Sequence, residues 1–154
     1  MEGNTHSQIH DRRLLRFFYV IEDDFVVMHR DGHDLASNNN PTVDDILEQK
    51  HLHVSGRKRG LHLIDVELDK IGYRRKVALR CQHFLIAPTI IQSTDLVLMG
   101  TRSFANRNSL PYVEIPIEIP SMEYFLIWHK SDEGDGGHNW MKDLIIRAFK
   151  DAQR

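Results

Sequence analysis

Short apolar runs of strand length, separated by stretches with helical patterning, constrain the fold of this chain more than any other feature of its sequence. Residues 25–28 and 96–99 are uninterrupted apolar segments, and 52–54 is a further short strand candidate. Such runs are typical of strands buried on both faces of a sheet. Because helical segments alternate with them, the sequence predicts an α/β fold with a largely parallel sheet.

The helix boundaries carry local signals. Thr42 is a suitable N-cap for a helix that begins at Val43, since acidic residues follow in the first turn. A second helix is predicted from about residue 59 to 71, with Gly72 behind it as a stop signal. The remaining predicted elements are an irregular leader at 1–12, a strand at 77–81, a helix at 83–93 with Pro88 near its start, an extended connection between lobes at 112–119, a strand at 124–128, a polar turn at 131–137 and an amphipathic helix around 140–149.

Composition narrows the class of protein. The 154 residues include 20 Lys and Arg against 22 Asp and Glu, so the chain has no basic field that would bind DNA by itself. Its single cysteine, Cys81, excludes an intramolecular disulfide framework and fits a cytoplasmic location. No apolar run reaches the length of about 18 residues that a membrane span needs, so we expect neither a signal peptide nor a transmembrane helix.

Few residues of the sequence suggest a metal, catalytic or ligand-binding site. Ten histidines suggest a metal site, and His51 and His53 share one face of a strand, but no further ligand follows at a suitable spacing. Neither Cys81 nor Ser55 lies in a nucleophile motif, so we expect no catalytic residue and no metal or other cofactor. Ser55 and Gly56 lie between a strand and a helix, where backbone N–H groups can bind a small anion.

Several short motifs occur in a specific order along the chain. They are DFVVMHRDGH at 24–33, TVDDIL at 42–47, HLHVSG at 51–56, GYRRKV at 72–77, HFLIAP at 83–88, STDLV at 93–97, WH at 128–129 and HNWM at 138–141. Together they resemble the effector-binding domain of LysR-type transcriptional regulators, especially the branch that includes the nodulation regulator NodD. The resemblance extends from about residue 12 to 149.

The resemblance implies a fold like that of type 2 periplasmic binding proteins, with a complete second lobe and part of the first. Residues 1–22 would form a leader with a remnant of the first lobe and a hinge, residues 23–118 the second lobe, and residues 119–154 the returning strand and helix of the first lobe. The expectation is an N-terminally truncated regulator without its helix-turn-helix. Unpaired sheet edges and uncovered apolar surface would then favour self-association.

The expected function is that of an effector-binding fragment that senses a small organic molecule and catalyses no reaction. The alternative is a free-standing small-molecule-binding protein or an enzyme on the same scaffold. Ligands of open α/β sheets bind beyond the carboxyl ends of the strands. The predicted effector-binding residues at these ends are Ser55, Gly56, His83, Phe84, Gly100 and Thr101. By resemblance the effector is aromatic or anionic, and DNA would be bound only through the absent helix-turn-helix.

Overall fold

A computed structural model describes residues 12–38, 40–56 and 62–151. The chain divides into two compact units. The larger unit is Asp23–Met122, and the smaller unit combines Met1–Glu22 with Glu123–Arg154. Among the described residues, no helix has both the length and the apolar character to cross a bilayer.

The described residues form strands, α-helices and short 3-10 turns. The strands are β1 (Leu15–Asp23), β2 (Phe25–Met28), β3 (Lys50–Val54), β4 (Lys76–Cys81), β5 (Val97–Thr101), β6 (Tyr112–Glu114) and β7 (Met122–His129). The α-helices are α1 (Asp34–Ser37), α2 (Val43–Leu47), α3 (Leu63–Lys70), α4 (Ala87–Ser93), α5 (Arg102–Arg107) and α6 (Gly136–Asp151). The 3-10 turns are Arg12–Leu14, Phe84–Ile86 and Lys130–Gly134.

The larger unit is built on a five-stranded sheet with the order β4-β3-β5-β2-β6. Strand β3 runs parallel to both β4 and β5, whereas β2 runs antiparallel to both β5 and β6. The sheet is therefore mixed: β3, β4, β5 and β6 share one direction, as the prediction of a largely parallel sheet requires, and β2 alone is reversed. A short strand that is buried on both faces has the same apolar sequence in either direction, so its direction cannot be read from the pattern.

Helices cover both faces of this sheet. Successive side chains of a strand point to opposite faces, so Phe25 and Val27 pack against α1, α2 and α3, while Val26 and Met28 pack against α4 and α5. All four residues of β2 are buried, as their uninterrupted apolar run predicts. The same three-layer arrangement buries the parallel strands β3 and β5 and leaves β4 at the sheet edge.

Local signals predicted helix ends correctly. The Thr42 hydroxyl accepts a hydrogen bond from Asp45 N at 3.2 Å, and the Asp45 carboxylate accepts one from Thr42 N at 2.8 Å, which completes a capping box. Helix α3 ends at Lys70, and Gly72 follows with φ of +80°, a conformation suited to glycine. The predicted start of α3 at residue 59 lies outside the described residues, among which its N-cap is His62.

One predicted element needs correction, and three elements were not predicted. The segment 112–119 was expected to connect two lobes, but its first three residues form β6, which pairs with β2 at the edge of the sheet. Pro116 follows this strand closely and has no backbone N–H to donate to a sheet. An edge strand tolerates such a residue, because it pairs with a neighbour on one side only. The short helices α1 and α5 and the strand β1 were not predicted, because four to nine residues carry too little periodicity.

The smaller unit contains a two-stranded sheet of β1 and β7, which includes the predicted strand at 124–128. Tyr124 and Trp128 lie on one face of β7, where they contact Phe149 and Lys142 of α6. Helix α6 begins within the predicted polar turn at 131–137, after the 3-10 turn at Lys130–Gly134. None of its sixteen residues is buried.

Candidate functional site

Three adjacent strands of the larger unit end at the same edge of the sheet. Strands β3, β4 and β5 are parallel, with Val54 of β3 opposite Cys81 of β4, so their carboxyl ends lie together. Ser55 N donates a hydrogen bond of 3.0 Å to the Cys81 carbonyl, which ties the first two strand ends to each other. The predicted residues of all three strand ends are therefore brought to one edge.

An aromatic pair borders this edge. Phe84 begins the 3-10 turn that follows β4, and its side chain is 47% exposed. Its ring packs edge to face on Phe104 of α5, with 5.7 Å between the ring centroids. His83, directly before it, is exposed, and its carbonyl accepts a hydrogen bond from the Cys81 thiol at 3.2 Å. An apolar wall thus connects the 3-10 turn after β4 with helix α5 after β5.

Gly100 and Thr101 form the end of β5. A Cβ atom on Gly100 would lie 2.8 Å from the Cε atom of the buried Met28, so close packing accounts for the glycine. Thr101 is the N-cap residue of α5, but its side chain makes no capping hydrogen bond. The cap is provided by Asp23, whose carboxylate accepts hydrogen bonds from Ser103 N at 3.1 Å and from the Ser103 hydroxyl. The Thr101 hydroxyl has no part in that cap.

A charged cluster beside Thr101 was not predicted from the sequence. Arg102 donates two hydrogen bonds to Glu114, at 2.7 and 2.8 Å, and lies 3.8 Å from Asp24 and over the ring of Tyr112. The hydrogen bond with Glu114, followed by that with Tyr112, raises the pKa of Arg102 above its ordinary value. Together with Asp23, this end of the edge carries three carboxylates and one guanidinium. It is therefore the less favourable end for the acidic group of a ligand.

The histidine pair of β3 is engaged in hydrogen bonds. His51 Nε2 donates to the Ile46 carbonyl at 3.0 Å, and His53 Nδ1 accepts a hydrogen bond of 3.0 Å from Arg75. Burial, and then the charge of Arg75, lowers the pKa of His53. Within the described ranges, no group of three or more His, Cys, Asp or Glu side chains could hold a metal ion.

Comparison with known proteins identifies the family. The model of the LysR substrate binding domain matches residues 5–150, so this chain belongs to that family. A curated relative, the HTH-type transcriptional activator NagR of Ralstonia sp, is 28% identical over 145 residues, which cover 92% of this chain and 46% of NagR. The chain thus spans about half the length of this relative. The resemblance to LysR-type regulators is confirmed, whereas the assignment to the NodD branch stays a prediction.

Solved structures agree on the fold. The regulatory domain of MexT, a transcriptional activator in Pseudomonas aeruginosa, superposes with a TM-score of 0.72 at 22% identity and covers 87% of this chain and 66% of its own. The effector-binding domain of QuiR in complex with shikimate gives a TM-score of 0.68 at 17% identity and covers 93% and 69%. The predicted α/β fold of the type 2 periplasmic-binding-protein kind is confirmed.

Proposed function

We propose that this chain is an effector-binding part of a LysR-type transcriptional regulator and senses a small organic molecule. The observation that carries the proposal is the meeting of three parallel strand ends at one edge, beside the Phe84 and Phe104 pair, in a chain of this family. Ligands of open α/β sheets bind at such edges. The proposal assigns no catalytic step to the chain.

In this proposal residues 23–118 form the second lobe of the effector-binding domain. Residues 1–22 are a leader with a remnant of the first lobe and a hinge, residues 119–154 are the returning strand and helix of that lobe, and this part of the regulator binds the effector rather than DNA. The near balance of charge supports this division of labour, because a domain of this composition has little attraction for the phosphate backbone of DNA.

The proposed ligand is a small cyclic carboxylic acid. Phe84 supplies an apolar wall, and the hydroxyls of Ser55 and Thr101 bind polar groups on either side of it. The acidic group is directed to Ser55 and Gly56, since Asp23, Asp24 and Glu114 surround the Thr101 end. Shikimate, the ligand in the QuiR structure, is an acid of this class.

Replacing Phe84 by alanine should weaken the binding of 4-fluorobenzoate about tenfold, because the apolar wall is removed. Ser55→Ala should weaken it severalfold. The affinity of each variant is measured by fluorine NMR titration of the purified full chain. Phe18→Ala, which removes another exposed phenylalanine in the smaller unit, is the matched control and should bind like the unmodified chain. Equal affinities for all four proteins would contradict the proposed site.

The smaller unit supports a further part of the proposal, the self-association of this chain. Phe17, Tyr19, Phe125 and Ile127 are about half exposed on the face of the sheet opposite α6. Helix α6 exposes an additional apolar stripe that includes Trp140, Met141 and Leu144. A two-stranded sheet has little stability without a covering surface, and a second copy of the chain supplies one of matching character.

Light scattering coupled to size-exclusion chromatography should therefore give a mass above the 18.0 kDa monomer at tens of micromolar. Replacing Trp140 and Ile127 together by glutamate should shift the population toward monomer, because charge on an apolar contact carries a large desolvation penalty. The control replaces the exposed Lys130 and Asp143 by alanine. If the unmodified chain is a monomer and binds no hydrophobic dye, the proposed self-association is contradicted.

A further inference from the structure

A cavity of about 300 Å³ lies outside the proposed effector-binding edge. It is bounded by α3, by the segment 73–75 and by β4, and none of its lining residues is among the predicted effector-binding residues. Its volume is at the lower end of the range of small-molecule pockets. The family match and the sequence motifs assign no function to it.

The charged lining of the cavity is unevenly paired. Arg75 is held by Asp65, with distances of 2.6 and 3.0 Å, and its side chain is only 2% exposed. Arg74 is paired with Asp69 at 2.9 Å. The third arginine, Arg80, is exposed on β4, and among the described residues no carboxylate lies within ion-pair distance of it. Three arginines face two aspartates, so the cavity has one positive charge in excess.

The apolar lining of the cavity completes a site for an organic anion. Leu68 of α3 is buried, and Tyr73 and Val77 are partly exposed beside it. A guanidinium binds a carboxylate through two parallel hydrogen bonds, and an aromatic or alicyclic ring packs on apolar side chains of this kind. An inorganic anion would leave the apolar part of the cavity unfilled.

We propose that this cavity is a second ligand site of the chain, which binds a small ring-containing carboxylate with its acidic group on Arg80 and its ring against Tyr73 and Val77. Asp65 and Asp69 already neutralise the two neighbouring arginines, so Arg80 is the anchor of the ligand. A second site allows one carboxylate to act on the larger unit without entering the effector-binding edge.

The test uses the full chain with Ser55→Ala and Phe84→Ala, which disable the effector-binding edge. Fluorine NMR titration with 4-fluorobenzoate should show residual saturable binding of one molecule. Adding Arg80→Gln should weaken this binding tenfold or more, whereas Arg80→Lys, which keeps the charge but loses the two parallel hydrogen bonds, should weaken it less than Arg80→Gln does. The matched control replaces the pair Arg74→Gln and Asp69→Asn together, which removes one charge of each sign and keeps the excess charge of the cavity, and it should change the binding less than twofold. The neutral analogue 4-fluorobenzyl alcohol should bind about tenfold more weakly than the acid.

The outcomes separate the two sites. Residual binding that is lost with Arg80→Gln supports the cavity site even if Ser55 and Phe84 prove irrelevant to binding in the otherwise unmodified chain. Absence of saturable binding in the Ser55→Ala, Phe84→Ala background, or binding that is insensitive to Arg80→Gln, overturns the cavity site and leaves the effector-binding edge untouched. Equal binding of acid and alcohol overturns the role of Arg80 as an anion anchor.

Discussion

Replacing Arg75 by methionine should lower the free energy of unfolding by about 3 kcal/mol, the typical cost of removing one partner from a buried ion pair. The Arg75 side chain is 2% exposed and that of Asp65 is 21% exposed. Burial alone would raise the pKa of Asp65, but the hydrogen bonds and charge of Arg75 outweigh it and lower that pKa. Without Arg75, the carboxylate and the ring of His53 lose their shared partner. Urea unfolding followed by circular dichroism measures the change.

Arg74→Met is the control for this prediction. Arg74 is 86% exposed and its pairing with Asp69 is in water, so we expect a change of less than about 0.5 kcal/mol. Replacing Arg75 by methionine and Asp65 by leucine together should recover much of the loss, because no unpaired carboxylate then remains. If Arg75→Met and Arg74→Met lower the free energy of unfolding by similar amounts, the buried pair stabilises the fold no more than the exposed pair does.

Acidification from pH 7 to pH 5 should lower the free energy of unfolding by about 2 kcal/mol through His51 alone. Burial, and then the charge of Arg75, lowers the pKa of His51 to about 4, against about 6.5 in an unfolded chain. Between these two pKa values the unfolded chain binds more protons than the folded chain. Stability therefore falls as the pH falls through this window, and the full loss is reached below about pH 4.

His51→Leu should remove this share of the pH dependence. The variant loses one hydrogen bond to the Ile46 carbonyl, so it should be less stable at pH 7, but its unfolding free energy should vary less between pH 7 and pH 5. Urea unfolding at pH 7, 6 and 5 measures both effects. His83→Gln replaces an exposed histidine and should keep the original slope. A slope that is unchanged by His51→Leu would refute the assignment.

The sequence predicted those features whose causes are local. The capping box at Thr42 needs only residues 42–45, and Gly72 marks the end of α3 through its own backbone conformation. The burial of β2 on both faces follows from four consecutive apolar residues. The three strand ends could be predicted to meet because the carboxyl ends of neighbouring parallel strands always share one edge.

Features that depend on distant contacts could not be predicted. Asp23 caps α5 across a separation of 80 residues, and no local pattern identifies this pairing. The acidic surroundings of Thr101 arise because the reversed strand β2 begins, and β6 ends, at the carboxyl edge of the parallel strands, which brings Asp24 and Glu114 there. No local pattern indicates the direction of either strand. The cavity beside Arg80 likewise exists only after α3 has packed beside β4.

The most direct test of the proposed function is a map of backbone amide shifts on addition of benzoate. It is recorded on the full chain with Arg80→Gln, so that the cavity site does not contribute. We expect weak binding, no tighter than the high-micromolar range, with saturable shifts at the proposed effector-binding edge (55–56, 83–84 and 100–101). Shifts that cluster instead at His51, His53 and His62, or that are absent from the three strand ends, would contradict it.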